Sequence, residues 1–127
     1  MADQQTESAV RAVIDEYAAA CRAGSTARLK VIFAENALMS GYLGSQYLCG
    51  STAPFLAYLE NGTPPAKAGT PYTYEIPYLD CAVDVASVVM KEKGFMGMDF
   101  TNYFHLACVE GRWLIVSKTF HVDAVHS

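Results

Sequence analysis

Few groups in this sequence could move a proton, hold a metal or orient a ligand. Cys21, Cys49, Cys81 and Cys108 stand far apart with no Cys-x-x-Cys spacing, which suits neither a zinc site nor a disulfide framework in so short a chain. Four reduced, mostly buried thiols are expected, with no metal and no cofactor. Asp80 and Asp84 flank a turn expected at Cys81 to Val83, where carboxylates cap backbone amides. His121 is the best candidate for a general base, because its imidazole titrates near neutrality. The alternative is a partly exposed histidine at the end of the last strand. Tyr17 is open in the same way, between a ligand contact and a core tyrosine whose hydroxyl finds a buried partner. With Asn102 and Thr119 these residues make a short inventory of polar groups among apolar ones, the pattern of a small-molecule pocket with a few placed donors.

The elements that must position them follow from composition and periodicity. The chain has 127 residues, 52% hydrophobic and 17% charged, with a formal net charge of −4. That is one domain, residues 1–127, able to bury about two-thirds of its unfolded surface. Some of the apolar surplus should line a pocket or a subunit interface. The nine Lys and Arg are scattered singly, without the basic stripe that a phosphate backbone requires, so nucleic acid is not an expected partner. No run approaches the roughly 18 apolar residues of a membrane span, and the opening Met1 to Glu7 is polar and acidic, so a cytoplasmic location is expected.

Val10, Val13, Ile14, Tyr17, Ala18 and Cys21 share one helical face between Glu7 and Arg22. Gly24 supplies a left-handed cap, and Ser25 starts a second helix that ends near Phe33. Ala37 to Tyr42 and Gln46 to Cys49 read as short strands. Ser51 and Thr52 open a third helix stopped by Gly62. Asn61 to Thr73 reads as a surface loop. Four strands follow: Tyr74 to Asp80, Val85 to Lys93, Met98 to Val109 and Arg112 to Asp123. Helices before long strands indicate an α+β fold, with the helical hairpin packed on a strongly bent antiparallel sheet.

A two-residue turn at Glu110-Gly111 pairs Cys108 with Trp113, Leu106 with Ile115, Phe104 with Ser117, Asn102 with Thr119, and Phe100 with His121. Alternation puts this set on the core and cavity face. The opposite face then carries Tyr103, His105, Leu114, Val116, Lys118 and Phe120, too apolar to leave wet. It is the expected interface of a homodimer, unless the loop from Asn61 to Thr73 covers it. Phe55, Tyr58, Tyr42 and Tyr47 are expected to close the open end of the cavity.

Several segments carry a family resemblance: Glu16-Tyr-Ala-Ala-Ala-Cys-Arg-Ala-Gly24, the run from Ile32 to Ala37, Gly50-Ser-Thr-Ala, and Gly111-Arg-Trp-Leu-Ile-Val-Ser-Lys-Thr-Phe120. Over nearly the whole chain the sequence resembles the nuclear transport factor 2-like superfamily. It looks closest to the branch of small proteins called putative lumazine-binding, which end in a Trp-x-Ile-x-x-Lys-x-Phe strand, here Trp113 to Phe120. The resemblance implies a cone-like α+β barrel, three N-terminal helices held in a curved sheet around an apolar cavity, with dimers formed through the outer sheet face.

Tyr17 also matches the oxyanion tyrosine of the superfamily's steroid isomerases. Asn102 falls where they carry a protonated Asp, and its amide could donate to the same oxyanion. Their general-base Asp aligns, without gaps, with Gly41, which cannot move a proton. The expected function is therefore binding of a small apolar or aromatic molecule by Tyr17, Phe55, Tyr58, Phe100, Asn102, Phe104, Trp113, Thr119 and His121. One alternative is a cofactor-free isomerase, dehydratase or cyclase using Tyr17, Asn102 and His121. Another is a protein-interaction scaffold.

Overall fold

The computed structural model describes residues 3–126. Helix α1 spans Gln4–Ala23, opened by the Asp3 side chain, which accepts the Thr6 amide at 2.7 Å. Gly24 closes it in the left-handed conformation, and the Ser25 hydroxyl accepts the Arg28 amide to start α2, Thr26–Ile32. Both caps stand where the sequence placed them, because each needs one specific residue type. Arg28 grips Glu16 with two hydrogen bonds of 2.7 and 2.8 Å and fixes the hairpin angle. The pair is solvent-exposed, so its net stabilisation is small.

The chain then runs directly into β1, Phe33–Leu43, and turns back as β2, Gln46–Gly50. Helix α3 covers Ala53–Asn61. The expected loop after it contains a single turn, α4, at Pro65–Ala68. This segment packs against α1 and not on the outer face of the sheet: Pro64 lies against Gly24 so closely that a Cβ there would meet its ring at 2.5 Å. Strands β3 (Thr73–Ala82), β4 (Val85–Phe95), β5 (Met98–Val109) and β6 (Arg112–Val125) complete the chain. The β3–β4 turn sits at Val83-Asp84, two residues later than its expected start, so Asp80 is a strand residue opposite Ser87.

The six strands form one open sheet in the order β2-β1-β6-β5-β4-β3. It is mixed, not wholly antiparallel as expected, because β1 pairs parallel with β6. The helical hairpin delivers β1 to the sheet, so its direction is not constrained by a tight turn to its neighbour. The buried face of α1, with Val10, Ile14, Tyr17, Ala18 and Cys21, packs onto Val88, Met90, Phe104, Leu106 and Ile115 of the sheet. Among the described residues no helix is long and apolar enough to cross a membrane. All four cysteines are free, with Cys21 and Cys81 buried, Cys108 half-buried and Cys49 exposed.

The β5–β6 register differs from the expected one in a way that reorders the site. Cys108 faces Trp113 and Leu106 faces Ile115, as read from the turn. Val116 is then an extra residue: His105 pairs with Ser117, Phe104 with Lys118, Asn102 with Phe120 and Phe100 with Val122. A bulge shifts the remainder of a strand by one position, which exchanges its faces. Lys118 and Phe120 therefore point inward, whereas Thr119 and His121 point outward.

Candidate functional site

Inside the sheet, between α3 and the ends of β1, β2, β5 and β6, lies a cavity of about 600 Å³, within the range of small-molecule sites. Helix α3 supplies Pro54, Phe55 and Tyr58, and β1 and β2 supply Met39, Leu43 and Leu48. The remaining wall is formed by Phe95, Met98, Phe100, Phe120 and Val122. Among the described residues the only charged group in the lining is Lys118.

Lys118 is 4% exposed. Its Nζ lies 4.1 Å from the centroid of Phe55, 5.1 Å from that of Tyr17 and 5.6 Å from that of Phe120. Such ring faces attract a cation. Among the described residues no carboxylate stands within 4.0 Å of it. Burial draws its pKa below the ordinary lysine value, while the charge of Glu92 pulls the other way.

Glu92 is 1% exposed and already has its donors. Tyr72 donates to one oxygen at 2.6 Å and the Asn102 amide to the other at 3.0 Å. Asn102 is thus committed to Glu92, and its own Oδ1 has no partner. Tyr17 is fully buried, edge-on to Phe104 at 4.9 Å and stacked on Phe55 at 6.3 Å. Its hydroxyl makes no hydrogen bond. Burial, with Cys21 and Glu92 nearby, holds the phenol neutral by pushing its pKa far up.

Of the residues expected to bind a ligand, Phe55, Tyr58 and Phe100 line the cavity. Tyr17, Asn102 and Phe104 lie in the core behind Lys118 and outside the lining. Trp113 packs against the core near the Glu110-Gly111 turn, away from the cavity. Thr119 and His121 are on the outer face, where Thr119 meets the Ser40 hydroxyl at 3.2 Å and His121 pairs with Asp123 at 2.9 Å. Tyr42 and Tyr47 pair with each other there, ring to ring at 5.5 Å, instead of closing the cavity.

Of the expected interface set, Tyr103 and His105 are exposed on the outer face, and Leu114 and Val116 are half-buried. Phe120 belongs to the cavity wall. At Gly41 an added Cβ would collide with the Phe120 carbonyl oxygen and ring. A side chain at Gly41 would therefore have to displace both the main chain and the ring of Phe120.

Solved structures with the same architecture define the class. A nuclear transport factor 2-like protein of unknown function from Silicibacter pomeroyi DSS-3 is 25% identical, with a TM-score of 0.84 over 96% of this chain and 99% of that one. A second, from Methylobacillus flagellatus KT, is 21% identical with a TM-score of 0.89 over 97% and 96%. A ketosteroid isomerase-like protein from Erwinia carotovora atroseptica SCRI1043 shares the fold at 13% identity, with a TM-score of 0.76 over 96% and 99%. The protein is thus a member of the nuclear transport factor 2-like superfamily. Within it, the family model for putative lumazine-binding proteins matches residues 5–121, and the chain belongs to that family. No curated protein is matched by the chain.

Proposed function

We propose that the protein is a cytoplasmic, homodimeric binding protein whose curved, cone-like sheet holds a small, flat, largely apolar molecule. The observation that carries this reading is the cavity itself: about 600 Å³, walled by aromatic and aliphatic side chains with one polar end. The family's description as lumazine-binding supports a ligand of that general size. The isomerase reading loses ground because Gly41 is closed to a base and Asn102 is occupied by Glu92.

The dimer reading is supported by the outer face. Tyr78, Val89 and Tyr103 follow one another across β3, β4 and β5, and Leu38 and Tyr42 continue an exposed apolar surface on β1. Titration with N-phenyl-1-naphthylamine, a neutral two-ring dye that fluoresces in apolar surroundings, tests the binding reading. Saturable binding of one dye per chain, with a raised melting temperature, supports it. No binding by this dye or across a panel of aromatic metabolites overturns it. Tyr103→Glu should convert dimers to monomers in light scattering, and a monomeric wild type would remove the dimer.

A further inference from the structure

We infer that the cavity selects ring-containing acids, whose anionic oxygen pairs with Lys118 while the rings lie among Phe55, Phe100 and Phe120. This rests on the binding reading above and adds the ligand's charge to it.

The core holds an imbalance of charge. Among the described residues Glu92 and Lys118 are the two buried charged side chains, yet they do not satisfy each other. Both Glu92 oxygens accept hydrogen bonds from neutral donors, Tyr72 and Asn102. Glu92 therefore supplies Lys118 with a distant field and no acceptor. The titratable groups that face Lys118 from α1 are the Cys21 thiol, which burial keeps protonated, and the Tyr17 phenol.

What surrounds Nζ at close range is aromatic. Ring faces attract a cation but do not replace the oxygen acceptors that an ammonium loses on leaving water. The face of Nζ left over opens on the cavity, where every other lining residue is uncharged. A carboxylate, sulfonate or acidic enol oxygen reaching this point would gain a charge-assisted hydrogen bond shielded from solvent. Its rings would meet Phe55, Phe100 and Phe120, of which Phe100 and Phe120 stand edge to face at 6.2 Å. An ester, amide or hydrocarbon of the same shape would bury the rings equally well and leave the ammonium without its acceptor. The ligand's charge, and not its area alone, is then what the site reads.

Two dyes with one ring system separate these cases: 1-anilinonaphthalene-8-sulfonate, which is anionic, and N-phenyl-1-naphthylamine, which lacks the sulfonate. In the wild type the sulfonate should bind about tenfold or more tightly than the neutral dye, the usual size of a buried charge-assisted contact. Lys118→Met should abolish that preference, and Lys118→Arg should retain it. Equal affinity for the two dyes in the wild type overturns the proposal, and this measurement needs no variant to fold. Persistence of the sulfonate preference in Lys118→Met overturns it as well. Neutral-dye binding without preference refutes only the charge assignment, whereas failure of both dyes removes the cavity reading beneath it.

Discussion

Gly41→Ala adds one methyl group against Phe120 where β1 pairs with β6, and the protein should lose about 2–3 kcal/mol of stability. The new Cβ would lie 2.7 and 2.8 Å from two carbons of the Phe120 ring and would overlap the Phe120 carbonyl oxygen. Carbon contacts are comfortable at about 3.5–4.0 Å, so the ring must retreat by nearly 1 Å. The carbonyl cannot retreat independently, because Gly41 and Phe120 are register partners in the parallel ladder. Overpacking of this kind costs about 1–3 kcal/mol, and involvement of main chain places Gly41→Ala at the upper end. For a domain of this length the melting temperature should fall by roughly 10 °C. Because Phe120 is cavity wall, affinity for the neutral dye should fall with it. Urea unfolding and dye titration measure both. A variant within about 0.5 kcal/mol of wild type would refute the steric account and would reopen this position to the catalytic carboxylate found in the isomerases.

Two further outcomes follow from burial and register. His121→Ala should leave the affinity for either dye within about twofold, since its ring is on the outer face beside Asp123; a tenfold loss would contradict the bulged register. Stability should decline as pH rises beyond the ordinary values of 9.0 for Cys21 and 10.0 for Tyr17 and Tyr72. Burial raises all three in the folded state, so above those values the unfolded chain releases protons that the folded chain keeps, and unfolding gains. Lys118, lowered by burial, acts in the opposite direction below its ordinary 10.5, but it is one group against three. Denaturant midpoints measured across this range would contradict the assignment if stability rose above about pH 10.

Helices α1 to α3, the caps at Gly24 and Ser25 and the four long strands are legible in the sequence because each is a local signal, whereas the single turn of α4 falls in the expected loop and Thr52 makes no capping hydrogen bond. Gly24 and Ser25 mark the hairpin between α1 and α2, and β5 spans the expected residues, Met98–Val109. The parallel pairing of β1 with β6 is not local and leaves no such mark. Which side chains face the cavity turns on a single residue. Alternation from the Glu110-Gly111 turn is correct as far as Ile115 and fails at Val116, where one extra residue exchanges the faces of residues 117–122.

The available signal was the unbroken apolar run Leu114-Ile115-Val116, which a strictly alternating strand does not need. Reading a bulge there would have turned Lys118 and Phe120 inward and His121 outward. Glu92 was legible by alternation alone, since Ala86, Val88, Met90 and Glu92 share the buried face of β4. Its acceptance by Tyr72 and Asn102 depends on side chains brought from a loop and a neighbouring strand. Phe55, Tyr58 and Phe100 line the cavity, because their placement depends on α3 and β5, upstream of the bulge.

A crystal structure of the protein grown with N-phenyl-1-naphthylamine tests the central claim most directly. The two-ring dye is expected between Phe55, Phe100 and Phe120, with the Lys118 ammonium at its inner end. A dye seated on the outer face beside Tyr103, or a cavity closed by its own side chains, would contradict it.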